Sequence, residues 1–208
     1  MKIKYIIAVL AFVTCTSLAQ ELLTNATWNI GLPVSKMNEY VTDITLRGFT
    51  IAGRRFLDKE NSVGLTFGWN IFDEKSYTPI NVDYGTASGT ISGTQVRSVN
   101  SFPMMVSFHH HFGNKNDKRP FVGINTGVYY ILQRLDMGVY RIDNDNWHFG
   151  IAPEAGIIIP VGDDNTALYV GGRYNYAFDS GTALGGAEDN YYSFWELNIG
   201  FAFSSHWF

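Results

Sequence analysis

The chain has 208 residues, a formal net charge of −4 and a single cysteine, Cys15. So small a charge bias excludes the basic face that a nucleic-acid binder needs, and one cysteine excludes an internal disulfide framework. Charged residues are 16% of the chain, against about 25% in ordinary soluble domains, while aromatics reach 15%.

Residues 1–19 read as an export signal. Lys2 and Lys4 form a basic start, Tyr5 to Val13 an apolar run, and Ser17-Leu18-Ala19 supplies small residues at the positions a signal peptidase reads. The apolar run is much shorter than the roughly 20 residues of a membrane-spanning helix. We expect cleavage after Ala19. Acylation of Cys15 is the alternative, and Phe12-Val13-Thr14 makes a poor lipobox for it. One domain, 20–208, would remain. It holds no later run long enough for a membrane helix, which leaves β structure as the only way to span a bilayer.

From there the apolar period is two, in eight segments: 25–34, 42–56, 62–73, 96–112, 120–134, 147–161, 166–178 and 191–203. The first alternates through Trp28-Asn29-Ile30-Gly31-Leu32. In the second, Arg47 and Arg55 share a face with Phe49 and Ile51, and Arg54 shares the other with Thr50 and Ala52, so its register stays open. The third sets Val63, Leu65, Phe67, Trp69 and Ile71 against Gly64, Thr66, Gly68 and Asn70.

The fourth ends in His109-His110-His111, which raises a metal site. On a strand the three separate. His110 falls on the face of Phe108, near the end of the wall. His109 and His111 face the other way as an i, i+2 pair with no third ligand in view. The fifth segment places Gly123, Asn125 and Gly127 on its polar face. The sixth and seventh, folded about Gly162-Asp163-Asp164-Asn165, set Ile157 opposite Val170 and Glu154 opposite Arg173. That pair predicts a salt bridge inside the barrel, with a polar gate as the alternative. Asp143-Asn144-Asp145-Asn146 suggests a calcium loop with Glu154 twelfth. Trp147 and His148 stand where such a loop needs an oxygen ligand and glycine, so a solvated loop is expected. The last segment alternates from Trp195 to Phe203, and Ser204-Ser205-His206-Trp207-Phe208 breaks the series. Either the strand continues in a changed phase or the insertion signal is displaced.

Connections alternate between short turns (58–61, 113–119, 162–165) and longer loops (35–41, 74–95, 135–146, 179–190). An even strand count with this alternation is the pattern of an all-β, eight-stranded antiparallel up-and-down transmembrane barrel, with both termini on the short-turn side. A soluble lipocalin-like barrel shares the period but would carry a Lys- and Glu-rich outer face. Here the polar face is Gly, Thr and Asn, suited to a crowded lumen, and the bulky face suits lipid. Trp28, Trp69, His110, Trp147, Tyr174, Tyr176 and Trp195 are expected in interfacial girdles, with Tyr130, Tyr191 and Tyr192 also near strand ends. His109, His111 and Asn125 are expected as polar lumen residues.

The stretches Trp28-Asn29-Ile30-Gly31-Leu32-Pro33, Arg47-Gly48-Phe49, Ser62 to Asn70, Asn100-Ser101-Phe102-Pro103, Gly172-Arg173-Tyr174-Asn175-Tyr176 and Leu197 to Phe203 carry a resemblance. Over nearly the whole chain after Ala19, the sequence resembles small outer-membrane β-barrel proteins of the OmpA-barrel and OmpX type, and the small exported barrels of Bacteroidota. The resemblance implies outer-membrane lipid, lipopolysaccharide and the barrel-assembly machinery as partners, and surface or host contacts through loops 74–95 and 179–190. Some barrels of this size are lipid A acylases or deacylases, but no His-x-Ser-Asn run or other nucleophile stands here, and no metal or cofactor is implied. A packed lumen with a structural or surface role is the first expectation; a pore for small solutes or hydrophobic compounds is the alternative.

Overall fold

The structure is a computed structural model. It describes residues 21–205 except 78–79, 84–87, 92, 115–116, 139, 162–164 and 182–189. The expected export signal, parts of the 74–95 and 179–190 loops and the last three residues lie outside the described set.

Eight strands close one antiparallel barrel: β1 (Leu22–Val34), β2 (Gly48–Phe56), β3 (Asn61–Tyr77), β6 (Thr94–His111), β7 (Arg119–Met137), β8 (Tyr140–Pro160), β9 (Thr166–Ala177) and β10 (Tyr192–Ser204). Two short strands, β4 (Ile80–Asp83) and β5 (Ser88–Ile91), form a separate hairpin between β3 and β6. Each of the eight expected segments holds a strand, but the second, expected over 42–56, is strand only from Gly48, because residues 42–47 pair with their neighbours through little more than the Gly31–Thr45 bridge. The pairings expected for the sixth and seventh segments hold as well: Ile157 opposes Val170 and Glu154 opposes Arg173.

The register fixes the barrel's shape. A row of partners starting at Thr24 passes through Gly53, Leu65, Val106, Thr126, Ile151, Tyr176 and Ser193, and returns to β1 at Val34, ten residues further along. Eight strands with a shear of ten imply a tilt of about 40°, and an interior that side chains just fill. Each step round the wall lifts the row about 3 Å along the axis.

Alternation then sorts every strand. In β3, Ser62, Thr66, Asn70 and Phe72 are buried while Leu65, Phe67 and Trp69 are exposed. Strand two's open register is settled: Arg54 points inward and is 2% exposed, and Arg55 faces out. Two apolar clusters close the interior. Leu23, Phe56, Phe121, Ile158, Ala167, Tyr169 and Ala202 fill the short-turn end. Phe72, Val99, Ile131, Ala177, Tyr192 and Phe194 fill the other, joined by Met37 and Val41.

Those last two belong to a segment expected as a loop. Residues 35–40 instead form a short helix, α1 (Ser35–Tyr40). Ser35 takes a left-handed backbone (φ 52°) as the chain leaves β1 for the helix. Met37 and Val41 are almost fully buried in the end cluster. Tyr40 donates to the carbonyl of Arg134 at 2.9 Å, under the Arg97 guanidinium. Burial, against the opposing field of Arg97, pushes the Tyr40 phenol up to about 12, so it remains a neutral donor. Glu74 of β3 holds the chain after the helix, accepting from the Thr42 amide at 2.6 Å and its hydroxyl at 2.8 Å.

Three further expectations need correction. The 74–95 and 135–146 loops are shorter than foreseen, because β3, β6, β7 and β8 run on past the barrel. Asp143 to Asn146 is strand, not loop: Asp143 pairs with Arg134 at 2.9 Å and Asp136 with Arg141 at 2.6 Å across the β7–β8 hairpin, which turns the charges into cross-strand staples. Tyr192 turns inward to the end cluster, because it sits one residue out of phase with outward Tyr191. At the C-terminus, β10 keeps its phase to Ser204, which is buried.

The fit of the wall predicts a contrast between two glycines. A methyl group on Gly64 would press into the Gly53 carbonyl and the Arg54 stem, whereas one on Gly172 meets nothing. Urea titration should show Gly64→Ala losing about 1–3 kcal/mol of stability and Gly172→Ala staying within about 0.5 kcal/mol of the parent. The Glu74 tie predicts a pH effect. The Thr42 amide and hydroxyl hold the Glu74 carboxyl below its usual range. The tie is therefore fully present above the unfolded value of about 4.3, and is lost as pH falls through the lower folded value. Hydrogen exchange should show Thr42 amide protection constant from neutral pH to about pH 4, falling below that, and absent at every pH in Glu74→Ala.

Candidate functional site

Between the two apolar clusters lies a polar layer to which all eight barrel strands contribute. Arg173 of β9 is its centre. It is 1% exposed, donates to Glu196 of β10, and reaches the Thr50 hydroxyl of β2 at 3.0 Å. The second oxygen of Glu196 accepts from Asn70 at 2.9 Å and Asn175 at 3.3 Å. Asn29 of β1 donates to Asn70 at 3.2 Å and to Thr50 at 2.8 Å. Tyr129 of β7 donates to Asn175 at 3.0 Å.

Glu154 of β8 anchors the lower half. It accepts from Tyr169 at 2.5 Å and Asn125 at 3.0 Å. Arg54 lies 3.9 Å away, and His109 of β6 lies 3.6 Å away. Arg54 in turn donates to Asn25 at 2.6 Å. Glu154 and Arg173 do face each other across β8 and β9 inside the wall, but the expected closed pair is not what forms. Arg173 has two carboxylate neighbours and donates to the other one, because Glu196 opposes it just as directly on β10. The unit is four charges, Arg54, Glu154, Arg173 and Glu196, formally neutral in sum.

His109, His111 and Asn125 all face the interior and are buried. The two histidines do not share a ligand. The His109 ring stacks on Phe121 at 5.1 Å, and His111 meets the Ser62 hydroxyl at 2.9 Å. Among the described residues no group of three His, Asp or Glu side chains is arranged to hold a metal ion. His110 lies on the outer face, bonded to Asn61 at 2.9 Å and packed edge-on against Phe112.

The outward aromatics are not one level ring. Trp28, Phe49, Trp69, Phe102, Tyr130 and Trp147 follow one row of partners through adjacent strands, and from Phe49 onward successive rings lie 5.1–6.0 Å apart. The row climbs with the shear, so Trp147 stands about 15 Å above Trp28. Tyr174 and Trp195 pair at 4.9 Å, and Tyr176 contacts Tyr191 at 5.7 Å, on the opposite wall. The indole of Trp28, lowest of the row, donates to the Leu46 carbonyl.

Removing one member of the charge layer strands its partners in a dry interior. Arg173→Met should therefore cost about 3–5 kcal/mol. Adding Glu196→Gln should recover part of the loss, because it removes the carboxylate left without a guanidinium and returns the layer to one charge of each sign, Arg54 and Glu154. A double-mutant cycle by urea unfolding measures both, and a strictly additive double variant would refute the coupling.

No family model matches the chain, and no curated protein matches it. Among solved structures it is similar to Neisserial surface protein A, with 16% identity, a TM-score of 0.51, and coverage of 88% of this chain and 96% of that one. It is similar also to the outer membrane protein OprG from Pseudomonas aeruginosa, with 13% identity, a TM-score of 0.51, and coverage of 90% and 97%. The likeness spans nearly all of each chain, and at these identities it is one of architecture: the protein has the closed antiparallel barrel fold of small outer-membrane proteins.

Proposed function

We propose that this chain is an integral outer-membrane barrel with a closed lumen, acting through the structures it carries above the membrane. The observation that carries this reading is the inverted distribution of polarity. Arg54, Glu154, Arg173 and Glu196 are buried inside, while Leu65, Phe67, Val106, Phe108, Ile124, Leu197 and Ile199 stand 42–53% exposed outside. A soluble barrel has the reverse order, and an outward apolar surface of this extent needs lipid. Closure of the barrel leaves no free edge in the wall, as a hydrocarbon environment requires.

The membrane band would run from Leu57, Phe112 and Val161 beside the short turns to the upper aromatics Tyr130 and Trp147. The β3–β6 and β7–β8 hairpins continue beyond it. From Tyr130 to Met137 the strand runs roughly 23 Å, of which about 18 Å is rise along the tilted barrel's axis, which lifts the Arg134–Asp143 and Asp136–Arg141 pairs clear of the lipid. These hairpins and the connections within 74–95 and 179–190 are the parts a surface or host partner could touch. Outer-membrane lipid and lipopolysaccharide would surround the wall, and insertion would use the barrel-assembly machinery. The export signal at 1–19 serves this route. The pore reading is disfavoured by the two apolar clusters and by α1, which together close both ends of the charge layer.

Two measurements test the reading. The protein should fractionate with the outer membrane and migrate faster unheated than boiled in detergent gels. In planar bilayers it should give almost no single-channel current. Steady conductance would favour the pore, and loss of the heat-dependent shift would favour a soluble binder.

A further inference from the structure

The wall has one irregular place. β2 begins only at Gly48, while its neighbours β1 and β3 continue to Val34 and Tyr77. Above the Trp28–Phe49–Trp69 stretch the gap is spanned by residues 41–47, tied to β1 by the single bridge Gly31–Thr45 and to β3 through the Arg47 carbonyl and the Ile71 amide at 2.9 Å. Two adjoining clefts open there. The lower, of about 290 Å³, is walled by Trp28, Leu46, Phe49, Trp69 and Ile71. The upper, of about 320 Å³, is lined by Asp43, Arg47 and Asp73, and Leu46 and Arg47 border both. Arg47 lies 2.9 Å from Asp73, and Asp43 has no ionic partner among the described residues.

We infer that this paired cleft binds one phospholipid with a phosphoethanolamine headgroup. The inference rests on the reading that the outer face meets the membrane. On that reading the lower cleft lies at the depth of acyl chains and the upper one at headgroup level, so a single amphiphile fills both. The charge set selects the headgroup. One guanidinium and two carboxylates carry a net charge of −1, which repels a purely anionic lipid. A zwitterion satisfies all three: its phosphate takes the Arg47 guanidinium, and its ammonium bridges Asp43 and Asp73. The lower cleft suits a chain because the indole N–H groups on its wall are already donated, that of Trp28 to Leu46 and that of Trp69 to Asn100.

Those indoles are also the reporters. The protein, ¹⁵N-labelled on tryptophan in uncharged maltoside micelles, is titrated with a diacyl phosphoethanolamine lipid and, separately, with the phosphoglycerol lipid of the same chains. The Trp28 and Trp69 indole signals should shift and saturate, with at least tenfold weaker binding of phosphoglycerol, while Trp147 and Trp195 drift in proportion to added lipid. Asp43→Asn with Asp73→Asn should weaken the phosphoethanolamine lipid at least tenfold and abolish the selectivity. Leu46→Trp, which fills the lower cleft, should remove saturation for both lipids. Equal affinities, or a Trp28 signal that only drifts like Trp147, overturn the site while leaving the barrel reading intact, provided each sample keeps its heat-dependent gel shift. A parent protein that lacks that shift overturns both.

Discussion

The structure depends on keeping charge neutral inside a wall too narrow to admit bulk water. Eight strands at a shear of ten leave an interior that only side chains can fill. Arg173 stands there between two carboxylates, with Glu196 its hydrogen-bond acceptor and Glu154 its partner across the other strand pair. Arg54 supplies the fourth charge beside Glu154. An isolated charge in this place would be prohibitive, so the four are useful only together. The layer also works as a register lock. Its hydrogen bonds, with the 3.6 Å contact of His109 on Glu154, reach every barrel strand, and a one-residue slip of any strand would turn its contribution to the outside.

The apolar clusters follow from the same arrangement. Polar side chains occupy the middle of the lumen, so its two ends are free to be sealed by Phe, Tyr, Leu and Ile. α1 supplies Met37 and Val41 to one of those seals, and Glu74 and Arg134 hold the helix and its exit from the side. Outside, the order of polarity is reversed, and the shear turns what would be an aromatic ring into a climbing stripe. That stripe passes beneath the one place where β2 falls short. The irregular wall and its paired cleft are thus products of strand-length mismatch in a closed sheet.

Much of this was legible in the residues. Alternation from Val63 to Ile71 shows which side chains of that strand share a face. The short turns set the registers of β6–β7 and β8–β9, because a tight hairpin leaves almost no freedom in pairing. From those registers come the inward His109 and the facing Glu154 and Arg173. The acceptor of Arg173 was not legible in the same way. Glu196 reaches it across a long connection, where no turn centre defines the pairing. Arg54 and Arg55 were ambiguous for a related reason, since neither face of that segment is cleanly polar and only neighbours on both sides decide between them. Nor did Ser35 to Tyr40 show any period, because six residues are too few to display one.

The sequence by itself determined the strand count, the two faces, the short-turn side of the barrel and the character of its interior. These are local properties, set by a side-chain period of two and by tight turns. Tertiary structure alone decided the shear, the grouping of four charges, the inward helix, the climb of the aromatics and the cleft beside β2. Each of these needs closure, because only when β1 meets β10 do distant registers add into one displacement and strands remote in sequence face one lumen.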